Sequence, residues 1–232
     1  MVGKLYGVGV GPGESKLLTL KAKEILESAD VIAVPVKDAG EESTALSIIR
    51  PVVELRDKKI LPVIFKMEHS EAKRAECRKR AAGQIREQLD MNKNVAMIVL
   101  GDISVYSTYH QAFKYIREEG YETEIIPGIS AFSGGAALAQ ISLVEGNENM
   151  MVLSSLKGME PLREALKMCD NLVVMKAGSS MEQICKLLRE QDLSDKTVVL
   201  SNIGMADEYI GPPAEDRSYG YFTTLIIKKG GM

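Results

Sequence analysis

Apolar residues along this chain fall into two patterns: short continuous runs, and longer stretches where they recur every three to four positions. The first run, residues 4–11, predicts a buried strand that ends in a glycine-marked turn. Leu18, Ala22, Ile25 and Ala29 follow at helical spacing, with Lys21, Lys23 and Glu24 between them. Residues 31–36 predict a second strand, and 43–53 a second helix with Ser43 as its N-cap. A third strand covers 60–65, where Pro62 either weakens the pattern or marks a sheet edge. A long charged helix over 70–91 leads to a strongly apolar fourth strand at 95–100. Another helix follows Ser104 and runs to about 119, where Gly120 stops it. A fifth strand at 122–126 closes on Pro127-Gly128, with a small-residue helix after Ser130. Such alternation implies right-handed crossovers and a mainly parallel sheet with helices on both faces.

The pattern breaks around 143–149 into the polar stretch Glu145-Gly146-Asn147-Glu148-Asn149. A domain boundary is expected there, giving an N-terminal α/β domain over 1–145 and a C-terminal α/β domain over 146–232. The second part offers strands at 151–156, 172–175, 197–200 and 222–228, with helices near 162–168 and 181–190. The fold class is α/β, in two lobes.

Composition narrows the function classes. With 45% hydrophobic and 26% charged residues, the 232-residue chain can bury a core, which excludes disordered and collagen-like proteins. A net charge of −3 gives no strong footprint for nucleic acid. The basic run over 73–80 spreads around a helix among acidic residues and reads as a solvated surface. Cys77, Cys169 and Cys185 form no C-x-x-C pair, so a disulfide scaffold and a zinc knuckle are disfavoured and a reduced cytoplasmic protein is expected. His69 and His110 have no Cys or His at ligand spacing, so no metal site is expected. No signal-peptide pattern opens the chain, and no apolar run reaches the ~20 residues of a membrane span.

Three segments carry candidate chemistry. The first is Gly7-Val8-Gly9-Val10-Gly11-Pro12-Gly13 at the end of the first strand. It fails the dinucleotide fingerprint, because Pro12 and Glu14 stand where glycine is required. It also fails the phosphate-loop pattern, because no glycine precedes Lys16. By itself it is equally a tight turn or a binding loop. The second is Leu100-Gly101-Asp102-Ile103-Ser104-Val105-Tyr106-Ser107-Thr108-Tyr109, with a carboxylate, hydroxyls and phenols at a strand's carboxyl end, where α/β sheets bind ligands. Its plainer reading makes Asp102 or Ser104 the cap of the next helix. The third runs from Pro127-Gly128-Ile129-Ser130-Ala131 to Gly135, where Ser130 is equally a helix cap. Three glycine-marked loops at one end of one sheet suggest a site.

These residues resemble a family. V-G-V-G-P-G, L-L-T-L-K-A, G-D-x-S-V-Y-S-T and P-G-I-S together are similar to the tetrapyrrole methyltransferases, over essentially the whole chain. The segment Tyr106-Ser107-Thr108-Tyr109 points within them to the C20-methyltransferases of cobalamin biosynthesis. The resemblance implies the two-lobed class III methyltransferase fold, with S-adenosylmethionine in a cleft between the lobes and a homodimeric assembly. It implies a tetrapyrrole substrate, cobalt-factor II or metal-free precorrin-2, with the cobalt form preferred. Cofactor contacts carry over to Pro12, to Leu100, Gly101, Asp102 and Val105 with Tyr106 beside them, to Ser130 and Ala131, and to Met175. Ile203 and Thr224 are placed by their strand-end positions. Ile103 stands where relatives usually carry proline, and Glu14-Ser15 where Asp-Pro is frequent.

Methyl transfer from a sulfonium asks the protein chiefly for orientation. Asp102 is expected to position the cofactor, Tyr106 and Tyr109 to contact either ligand or close a helix on the core, and no catalytic base is assigned. The substrate's carboxylates call for cations, with Lys37, Lys66, Lys157 and Lys176 near strand ends as candidates. His110 is a candidate for the substrate side, against the plainer reading of a packed or exposed histidine. The rivals are a related methyltransferase acting on RNA or a translation factor, a tetrapyrrole carrier without activity, and a nicotinamide oxidoreductase.

Overall fold

A computed structural model describes residues 2–38, 40–65 and 70–231, so Lys66 and His69 lie outside the described residues. The chain divides into two compact units, Met1–Ser130 and Ala131–Met232.

The first unit holds five strands, β1 (Leu5–Gly9), β2 (Val31–Val36), β3 (Lys59–Ile64), β4 (Val95–Val99) and β5 (Thr123–Ile126). All pair in parallel, in the order β3-β2-β4-β1-β5. Parallel sheets are covered on both faces, which is why the central strands read as unbroken apolar runs. Helices α1 (Leu20–Ser28) and α2 (Thr44–Ile49) cover one face, where Leu26 and Ile49 meet Ile32 and Ile98. Helices α3 (Glu71–Asp90) and α4 (Tyr109–Glu118) cover the other, where Ile85, Leu89 and Ile116 meet Leu5 and Met97. Hydroxyl caps start the first two helices: Thr19 accepts the Ala22 N–H at 3.2 Å, and Ser43 accepts the Leu46 N–H at 3.4 Å. Each such cap contributes about 1 kcal/mol. Pro62 lies in β3, an edge strand; Lys59 and Phe65 donate to Asp30 and Val36, so in the alternating ladder the nitrogen of residue 62 faces the open edge and the proline costs the sheet no hydrogen bond.

Neighbouring strands β1 and β4 leave the sheet in different directions. One exits to α1 on the first face, the other to α4 on the second. Exits that part in this way open a crevice outside the carboxyl ends of the strands.

One expected element is shorter than its pattern. Helix α4 begins at Tyr109 rather than just after Ser104. Tyr106 adopts φ 49°, outside the right-handed helical region, and the Tyr109 N–H is taken by the Ser107 hydroxyl at 3.0 Å. Residues 102–108 are therefore a loop.

The second unit comprises α5 (Ala131–Leu138), β6 (Met150–Ser154), α6 (Glu160–Met168), β7 (Asn171–Met175), α7 (Met181–Glu190), β8 (Thr197–Ser201), β9 (Tyr209–Gly211) and β10 (Thr223–Lys228). Its sheet order is β6-β7-β10-β8-β9. Only β6 and β7 pair in parallel; β10 runs antiparallel between β7 and β8, and β9 pairs antiparallel with β8. The three half-buried residues of β9 are too short a run to show in the apolar pattern.

The units part at 130/131, ahead of the 145/146 boundary read from the sequence. Helix α5 belongs to the second sheet: a Cβ on Gly135 would come within 2.7 Å of Ile203 Cδ1, and Ala136 shares a core with Val173, Leu200 and Ile226. The polar stretch after it is tied down as well. Lys228, a β10 residue 4% exposed, donates to Ser142 Oγ at 3.1 Å and lies 3.6 Å from a Glu148 carboxylate oxygen. Glu148 accepts in turn from Asn171 Nδ2 at 2.8 Å. The polar stretch in which the sequence pattern breaks thus supplies partners to a buried cation.

Candidate functional site

Three loops meet at the carboxyl end of the first sheet. The one after β1 and the one after β4 pair edge to edge: the Gly11 N–H donates to the Gly101 carbonyl at 3.2 Å, and the Gly101 N–H donates back at 2.8 Å. Both glycines have positive φ, 84° and 74°, a backbone state that glycine enters without steric cost. The loop after β5 closes on them. A Cβ on Gly9 would stand 2.6 Å from the Gly128 nitrogen, and one on Gly128 would overlap the Gly101 carbonyl oxygen. These glycines are required because main chain packs on main chain.

Asp102 locks the junction. Its Oδ2 accepts the Gly128 N–H at 2.8 Å, across 26 residues of sequence. Its Oδ1 accepts the Ser104 N–H at 2.8 Å and the Ser104 hydroxyl. The helix-cap reading of Asp102 therefore does not hold, since none of these three bonds comes from α4. Burial pushes this carboxyl up, but the Ser104 hydroxyl and the N–H groups of Gly128, Ser104 and Ile103 outweigh it and leave its pKa below the ordinary value. With both oxygens engaged, Asp102 orients two loops rather than moving a proton.

The sequence candidates sort by place. In the first unit Pro12 is buried in the β1 loop, Leu100 and Val105 are half-buried, Tyr106 is 51% exposed, and Ser130 is buried at the end of the β5 loop. Pro12, Leu100, Gly101 and Asp102 thus come together around the Gly11–Gly101 pair. In the second unit Ala131 opens α5, while Met175 of β7 and Thr224 of β10 sit directly opposite each other. Ile203 is covered: it is 5% exposed and lies under α5 at Gly135, so its side chain serves the core.

Tyr109 also proves to be core. It is fully buried against Gly7, Ile103 and Phe113, and burial pushes its phenol pKa well up. Among the described residues its hydroxyl has no hydrogen-bond partner. Leaving such a group unpaired costs about 1–3 kcal/mol. Tyr109→Phe is therefore expected to raise the thermal midpoint by about 2–12 °C with turnover unchanged, measured by calorimetry and a steady-state assay. A fall in the midpoint would show that the hydroxyl is satisfied in solution.

The remaining candidates differ in exposure. His110 is exposed and packs edge-on against Tyr109 with ring centroids 5.7 Å apart. Lys37 and Lys157 are exposed, whereas Lys176 is half-buried. In the basic run of α3, Arg74 and Arg78 both pair with Glu71 at 2.9 Å, which supports the reading of a self-neutralised surface. Cys77, Cys169 and Cys185 are buried free thiols. Among the described residues no group of His, Cys, Asp and Glu could hold a metal, and no helix is long and apolar enough to cross a membrane. The sequence did not signal Gly128 as the partner of Asp102, because a contact across 26 residues leaves no local pattern.

An all-parallel α/β unit with glycine loops at its switch point, followed by a mixed α/β unit, is a two-unit α/β arrangement whose first unit exposes close-packed backbone where such sheets bind ligands. Residues 4–215 match the family of tetrapyrrole (corrin/porphyrin) methylases, and the chain belongs to that family. It is 35% identical to a protein of Methanocaldococcus jannaschii named "probable cobalt-precorrin-2 C(20)-methyltransferase", over 99% of this chain and 97% of that one. It is 28% identical to the cobalt-precorrin-2 C(20)-methyltransferase of Salmonella typhimurium, over 99% and 98% of the two chains. Identity to the precorrin-2 C(20)-methyltransferase of a Sinorhizobium species is also 28%, over 97% and 95%. The fold matches the crystal structure of a cobalt precorrin-4 methyltransferase with a TM-score of 0.73 at 18% identity, over 97% of this chain and 94% of that one.

Proposed function

We propose that this protein methylates C20 of cobalt-factor II (cobalt-precorrin-2), using S-adenosylmethionine as donor. The observation that carries the reading is the end-to-end 35% identity to a relative named for that reaction. Metal-free precorrin-2 is the second reading, favoured by the Sinorhizobium relative.

The residues of the first unit fit such a donor. The Gly9–Gly101–Gly128 junction keeps side chains out of a strip of main chain, and a flat nucleoside can approach peptide groups closely only where no Cβ intervenes. When bound, S-adenosylmethionine supplies a methyl group already activated on a sulfonium. The protein's own part is to hold and orient, which can contribute roughly 7–11 kcal/mol. We assign the holding in the first unit to Pro12, Leu100, Gly101, Asp102, Val105, Tyr106 and Ser130. In the second unit Ala131, Met175 and Thr224 remain assigned, and Ile203 supports them from the core. No residue is assigned as base for the C20 proton. We further assign a homodimer in the cytoplasm, in keeping with the three free thiols.

Incubation with S-adenosylmethionine and either cobalt-factor II or precorrin-2, followed by mass and NMR analysis, tests the reading. One added methyl on cobalt-factor II, located at C20, is expected. Binding of S-adenosylmethionine without methylation of either tetrapyrrole would overturn the substrate assignment.

A further inference from the structure

Among the described residues, seven other than glycine have positive φ: Asn92, Tyr106, Gln140, Ser155, Lys176, Asp192 and Asn202. Three need no special account. Asn92, Gln140 and Asp192 each follow a helix by one or two residues, where a left-handed residue ends the helix. Tyr106 belongs to the loop already described. The other three form a set: Ser155 directly follows β6, Lys176 directly follows β7, and Asn202 directly follows β8.

These strands run in one direction, so the three residues lie in a row on one edge of the second sheet. Because β10 runs the other way, its start reaches the same edge and brings Tyr221 and Phe222 there. Backbone hydrogen bonds stitch the row together. The Ser155 N–H donates to the Met175 carbonyl at 3.1 Å, the Ala177 N–H to Thr223 at 2.9 Å, and the Asn202 N–H to Phe222 at 3.0 Å. Tyr221 is 54% exposed and Phe222 38%, edge-to-face with centroids 5.3 Å apart. The Lys176 ammonium lies 5.5 Å from the Tyr221 ring centroid.

Left-handed backbone is costly for serine and lysine, and such positions gather where function requires a particular side chain. Glycine would satisfy the same turns without cost. The row presents a cation, two polar side chains and two exposed aromatic side chains, which suits a flat polyanion.

We propose that this edge is a tetrapyrrole-binding surface, on which Lys176 takes a peripheral carboxylate and Tyr221 and Phe222 take the flat of the macrocycle. The inference rests on the substrate class proposed above and adds the residues that recognise it.

The test measures binding of cobalt-factor II by absorbance titration and of S-adenosylmethionine by calorimetry, with thermal midpoints, for the wild type, Lys176→Met, Lys176→Gly and Tyr221→Ala. Lys186→Met, on the exposed side of α7, is the control. Lys176→Met and Tyr221→Ala are expected to weaken tetrapyrrole binding about 10-fold and leave donor affinity unchanged. The wild type is expected to lose affinity with added salt more steeply than Lys176→Met. Lys176→Gly relieves the backbone, so it is expected to melt about 2–4 °C higher while binding as weakly as Lys176→Met, a combination that a purely structural lysine does not produce. Unchanged tetrapyrrole affinity in Lys176→Met, or a loss confined to S-adenosylmethionine, would overturn the assignment of this edge. A folded wild type that binds no tetrapyrrole would overturn the functional reading itself.

Discussion

Gly128→Ala is expected to destabilise the protein by about 3 kcal/mol and to abolish measurable donor binding. The added methyl would overlap the Gly101 carbonyl oxygen and come within 2.7 Å of the Gly9 carbonyl carbon. Both obstacles are main chain, so no side chain can swing aside, and overpacking of a well-packed site costs about 1–3 kcal/mol. For a chain of this length that lowers the thermal midpoint by about 6–12 °C. Relief can come only from separating the β5 loop from the other two, which also breaks the Asp102–Gly128 bond. Gly83→Ala supplies the contrast. Gly83 lies inside α3 with open space around its Cα, so the same substitution there is expected to stabilise by up to about 1 kcal/mol. Calorimetric melts of the two variants, with S-adenosylmethionine titrations, check the pair. Equal midpoints would mean that the glycine junction is looser than its geometry requires.

Asp102→Asn is expected to lower kcat/KM on the order of 100-fold, since misplacing reactants by about 1 Å costs that much. An amide offers one acceptor and one donor where the carboxylate offers two acceptors. Asparagine can therefore keep its bonds to Ser104 or its bond to Gly128, but not both. A hydrogen bond to a charged group contributes about 1.5–3 kcal/mol, so a stability loss of about 2 kcal/mol should accompany the loss of rate. Ser104→Ala, which removes only the local hydroxyl, should fall well short of both. The pH dependence follows from the depressed pKa of Asp102. Its contribution is fully present above its unfolded value, near 4, and is lost only as the pH falls through the lower folded value. The stability gap between wild type and variant should therefore be flat from about pH 5 to 8 and narrow in stronger acid. A gap that changed between pH 6 and 8 would show that a different group sets it.

Elements whose pattern is local were legible in the sequence. Helix α7 and strand β2 match their expected limits, Ser43 caps α2, and Pro62 marks an edge strand. In each case the period of apolar residues, or the chemistry of one residue, leaves a signal within a few positions. Where a distant contact decided the outcome, the reading failed. The plainer reading of Asp102 as a helix cap fails because its partner, the Gly128 N–H, lies 26 residues away. The polar stretch after Leu143 reads as a domain boundary because no local feature announces that Lys228 is buried against it.

The sequence by itself determined that the chain is α/β, that glycine-rich loops follow the first, fourth and fifth strands, and which family those loops resemble. These follow from short-range patterns that each segment carries alone. Only the tertiary structure decided that the three loops interlock through bare backbone, and that Asp102 serves as a tie rather than a cap. Only it decided that Tyr109 and Ile203 belong to the core, that α5 belongs to the second sheet, and that Ser155, Lys176 and Asn202 share one edge. Those outcomes depend on which strand lies beside which, and strand order is settled by the packing of whole faces rather than by any one segment.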